Sequence, residues 1–85
     1  MLISQKGQEV LAMLNTYAFI KHNPKFKCEP RKKRRALQQY REELVKRGLD
    51  MDKTDIMIFE KYLMGATFAP NGYEETLSID IQMSL

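Results

Sequence analysis

The single histidine and the single cysteine, His22 and Cys28, are the only soft metal ligands here apart from methionine sulfur. A structural zinc site takes four nitrogen or sulfur ligands, so these two imply no metal. Nor does either have the company a nucleophile needs. There is no second histidine, no glycine-rich loop before a helix and no G-x-S-x-G turn. Cys28 reads as a plain free thiol, and the chain reads as a non-enzyme without a cofactor.

A different chemistry is offered by Arg31-Lys32-Lys33-Arg34-Arg35, with Lys25 and Lys27 just upstream. Five adjacent cations repel one another and suit phosphate oxygens. They also fall at the start of an expected helix, the positive end of its dipole, where each costs about 0.3–1 kcal/mol at low salt. A bound polyanion reverses that sign, because helix N-termini already present backbone N–H groups to anions. Phe26 and Tyr40 are candidate stacking groups. The competing reading is a solvated cationic face neutralised by acids elsewhere in the chain. No helix-turn-helix, zinc-finger or RNA-recognition signature accompanies the run. A short basic run of this kind can also serve as a nuclear import address.

The charges are sharply partitioned. Residues 21–47 carry net +8, residues 48–85 net −5 and residues 1–20 zero, which together give the total of +3. Such asymmetry bears on partners more than the total does. At 85 residues with 44% apolar content, the chain suffices for one small domain with a closed core. One cysteine forbids an intrachain disulfide, which favours a reducing compartment. The apolar run from Val10 to Ile20 is too short to span a bilayer, and no cleavage-site pattern follows it. A cytoplasmic protein with no membrane partner is expected, or a nuclear one in a nucleated host.

The elements that must carry the basic run are mainly helical. The expected fold is mainly α, a small three-helix core with a C-terminal β-hairpin or strand. The first helix spans about 4–21, capped by Ser4, with Ile3, Val10, Leu14 and Tyr17 on one stripe and Leu11 and Ala18 beside it. Asn23-Pro24 stops it. The second spans about 30–47, opened by Pro30 and closed by Gly48, with Leu37, Tyr40 and Leu44 inward alongside Ala36 and Val45. Glu42–Lys46 and Glu43–Arg47 form i,i+4 pairs on it. The third spans about 53–64, capped by Asp52, with Met51 stapled onto Ile56 and a buried face of Ile56, Phe59 and Leu63, Tyr62 beside them. Gly65 ends it.

After Gly65 the period changes to two. Leu77, Ile79, Ile81 and Met83 alternate with polar residues, the pattern of a half-buried strand, and Asn71-Gly72 is a tight-turn signal. A hairpin or strand over about 66–83 would place Phe68 on the face of Leu77 and Ile79. Its outer residues lack a local partner, so self-association through Leu77, Ile79, Ile81 and Met83 is expected. The leading function is a small accessory or regulatory protein contacting nucleic acid through Lys25, Lys27, Arg31, Lys32, Lys33, Arg34 and Arg35. The alternative is an inhibitor or adaptor that docks on a protein through the strand, the third helix and acidic residues 48–85.

Overall fold

The computed structural model describes residues 5–68, which form three helices: α1 (Gln5–His22), α2 (Pro30–Lys46) and α3 (Met51–Leu63). No described residue is in a strand. Ser4 and Ile3 lie outside the described residues, as do all four proposed strand residues. Of the expected 66–83 hairpin, only 66–68 are described. They are irregular, and Phe68 is fully buried in the helical core.

α1 is the hub. Its sequence has apolar side chains on every side, and Val10, Leu11, Leu14, Tyr17, Ala18 and Ile20 are all buried. A helix that is apolar all round belongs in the interior. α2 packs along it through Leu44, with Leu37 and Tyr40 partly buried against the same core. α3 closes the cluster with Met51 and Ile58, and Phe68 fills the remaining space.

α2 and α3 both stop at glycines. Gly48 has φ 94° and Gly65 φ 90°, the left-handed region that favours glycine. Gly48 N–H donates to Val45 O at 3.0 Å and Leu49 N–H to Leu44 O at 3.2 Å. Gly65 and Ala66 repeat the pattern onto Tyr62 and Lys61, so both helices end in Schellman motifs.

Several local expectations are overturned. α3 is capped by Asp50, whose carboxylate accepts from the N–H groups of Asp52 and Lys53, and the helix therefore starts at Met51. Met51 turns inward as the first helical residue, and no staple onto Ile56 forms. The buried face of α3 is Met51, Thr54 and Ile58. Ile56, Phe59 and Leu63 point outward, 60%, 50% and 66% exposed, and Tyr62 is exposed with them. On α2, Val45 is 53% exposed, because packing through Leu44 turns its neighbour about 100° away. Lys46 pairs with Glu43 at 3.5 Å instead of Glu42, which accepts from Gln38, while Glu43–Arg47 forms at 2.9 Å as expected.

A polar cluster ties the three helices together. Tyr17 O–H donates to Asp55 Oδ1 at 2.6 Å, Lys21 Nζ reaches the same oxygen at 3.3 Å, and Arg41 donates to Asp55 Oδ2. Arg41 also donates to Asp52 at 2.8 Å. Burial pushes the Tyr17 phenol well above its ordinary range, and the Asp55 hydrogen bond and charge add to the rise. Burial acts to raise Asp55 too, but the hydrogen bonds from Tyr17 and Arg41 and the charge of Lys21 prevail and hold it below the usual carboxylate value.

Candidate nucleic-acid interface

The basic run occupies the first turns of α2. Pro30 opens the helix with its φ already set and no N–H to leave unpaired. Glu29 precedes it at the N-cap position, and its side chain makes no capping hydrogen bond. The helix period then divides the five cations. Arg31, Lys32, Arg34 and Arg35 are exposed along the outward arc. Lys33 falls nearly opposite, on the side of Leu37, Tyr40 and Leu44, and is half-buried. Lys25 and Lys27 are exposed in the loop that leads in. Six of the seven proposed contact residues are thus open to solvent, and Lys33 stands apart from them.

Where the acids are committed decides what this face can do. Asp55 holds Lys21 and Arg41, and Asp52 holds Arg41. Glu43 holds Lys46 and Arg47, and Glu9 holds Arg47 at 3.1 Å. Among the described residues, no ion pair reaches any cation between 25 and 35. Among the described residues, the segment 25–35 therefore keeps seven cations with Glu29 as its one acid. The far end of the same helix is neutralised.

The proposed stacking groups are in use elsewhere. Phe26 packs edge-on against Phe19, ring centroids 5.9 Å apart at 74°, and Tyr40 packs against the core. A different aromatic cluster lies beside Lys25. His22 stacks on Tyr62 at 4.7 Å and 19°, with Phe68 at 6.1 Å, and these rings border a cavity of about 220 Å³ with Asn23, Pro24 and Lys25. No sequence signal announces it, because Tyr62 and His22 are forty residues apart. Asn23 fixes one wall, its Oδ1 accepting from Lys25 N–H at 2.9 Å and its Nδ2 donating to Phe68 O at 2.6 Å.

Burial pushes the His22 imidazole below its ordinary value, and the charges of Lys21 and Lys33 push it further. Its Nε2 is buried without a hydrogen-bond partner. Cys28 is exposed and free. Among the described residues, no three of His, Cys, Asp and Glu converge as metal ligands, and no helix is long and apolar enough to cross a membrane. No protein-family model, curated protein or solved structure matches the chain.

Proposed function

We propose that this chain is a non-enzymatic accessory or regulatory protein that binds nucleic acid. Arg31, Lys32, Arg34 and Arg35 contact phosphates from the outward face of α2, assisted by Lys25 and Lys27. The observation that carries this reading is the division of charge. The described ion pairs gather at Lys21 and from Arg41 onward, while the run at 31–35 joins none among the described residues. Cations that only solvated a surface would gain by sharing those acids. Contacts of this type hold a phosphate backbone without reading bases, so sequence-independent binding is expected. The proposed compartment is the cytoplasm, or the nucleus of a nucleated host, where a lone thiol stays reduced.

The test is Arg34→Glu with Arg35→Glu, titrated against short duplex and single-stranded DNA and RNA. Wild-type affinity should fall steeply with salt, and the double variant should lose binding. Its thermal stability should be unchanged or slightly raised, because acids sit better than cations in the first turns of a helix. A wild-type protein with no affinity at low salt would falsify the proposal. A second reading, an inhibitor or adaptor docked on a protein, is favoured by the outward apolar residues of α3. It calls for binding that salt barely weakens.

A further inference from the structure

α3 carries two apolar stripes, and the core uses only one. The other, Ile56, Phe59 and Leu63, recurs at steps of three and four along the outward face, and Met64 extends it at 85% exposure. Isolated exposed apolar residues are ordinary on a protein surface, but a contiguous stripe marks a contact face. The spacing is that of a two-helix seam, with Ile56 and Leu63 as equivalent positions of successive heptads and Phe59 between them.

The charges beside the stripe say what fits it. Lys53 and Glu60 are also seven residues apart, so both lie on the same flank of the seam. Both are exposed, and neither joins an ion pair among the described residues. Asp52 and Asp55 of the same helix, by contrast, are engaged by Arg41.

We infer that this stripe is the contact face for a second copy of the chain, with the two α3 helices packed antiparallel across a two-fold axis between Ile56 and Phe59. A two-fold axis sets the same patch against itself and closes the assembly at two. Antiparallel packing also sets like flanks together, so Lys53 faces Glu60 of the partner subunit, and the exchange is repeated by symmetry. A parallel arrangement offers no such exchange, since it brings Glu60 toward the flank that carries Asp55. One helix of thirteen residues is about 20 Å long, so a single pair of such helices covers less area than a standard stable interface. The dimer is therefore weak, with a dissociation constant on the order of tens of micromolar.

Sedimentation equilibrium of the full chain, from about 10 µM to about 1 mM, should show the mass rising from 10.0 kDa toward twice that value. Phe59→Glu should weaken association at least about tenfold with unchanged circular dichroism, since the ring is half exposed. Lys53→Glu and Glu60→Lys should each weaken it about three- to tenfold. The two together should restore it to within about twofold, which only reciprocal pairing accomplishes. A monomer at every concentration overturns the inference. So does a dimer indifferent to Phe59→Glu, including one lost instead with Ile79→Asp and Ile81→Asp, or a double charge swap that fails to restore.

Discussion

His22 sits where the end of α1, the start of α2 and the end of α3 converge. Tyr62 stacks on its ring and Phe59 lies at 6.3 Å, while Lys21 and Lys33 face it with positive charge. Asp55 is the one acid that acts against them. A half-buried imidazole whose Nε2 is buried and unpartnered among cations resists protonation, so the folded state binds its proton later than the unfolded chain does. Stability is therefore insensitive to this group above its ordinary pKa of 6.5 and falls as pH drops from there through the lower folded value. Asp55 adds a separate loss further down. Its carboxylate is held below its ordinary 3.8, so its contribution persists above that pH and disappears as pH falls through the folded value. Urea unfolding between about pH 7 and 5 should show a downward slope for the wild type. His22→Phe should flatten that slope and leave the later acid loss in place. A wild-type stability that is level across this window removes the case for a strained imidazole.

The start of α3 separates two aspartates that look interchangeable in sequence. Asp50 accepts two backbone N–H groups and is the cap, whereas Asp52 meets only Arg41 from a side chain that is 91% exposed. Asp50→Ala should cost about 1 kcal/mol and Asp52→Ala no more than about 0.5 kcal/mol, both read from denaturant midpoints. The reverse order would return the cap to Asp52. That two-residue shift explains what sequence reasoning missed in α3. Apolar residues surround this helix, so periodicity admits two faces, and Ile56, Phe59 and Leu63 are the more apolar one. The core takes the other because Thr54 satisfies its hydroxyl on Asp50 O at 2.8 Å, and Asp55 is satisfied by Tyr17, Lys21 and Arg41. Thr54 faces inward on a carbonyl at the start of its own helix, whereas the partners of Asp55 come from α1 and α2. The end of α1 and both ends of α2 were legible because two prolines and a glycine punctuate them. The basic run was legible too, by residue type alone. Which cations stay unpaired was not, since Lys21 and Arg41 find Asp55 across 34 and 14 residues.

At the scale of the whole molecule, Phe68 is the largest fully buried side chain among the described residues, yet it lies outside the helices, just after α3. Its ring completes a core that three short helices leave open, and Asn23 holds its carbonyl. Phe68→Ala should cost about 3–5 kcal/mol, a large share of the stability of a domain this small, measured by chemical denaturation. A loss below about 1 kcal/mol would place the ring outside the core. The route by which that stability is lost follows from the Asn23–Phe68 hydrogen bond. It joins residues 45 apart, whereas α1 and α2 are brought together across the short loop after His22. Closing the longer loop costs more chain entropy, so the helical hairpin is expected to form first and the ring to dock after the folding barrier. Interactions made after the barrier leave the folding rate alone and govern escape from the native state. The Phe68→Ala deficit should therefore appear almost wholly in the unfolding arm of a chevron, two to four orders of magnitude faster by about that energy. Whatever loosens residues 66–68 then shortens the lifetime of the folded chain without slowing its assembly.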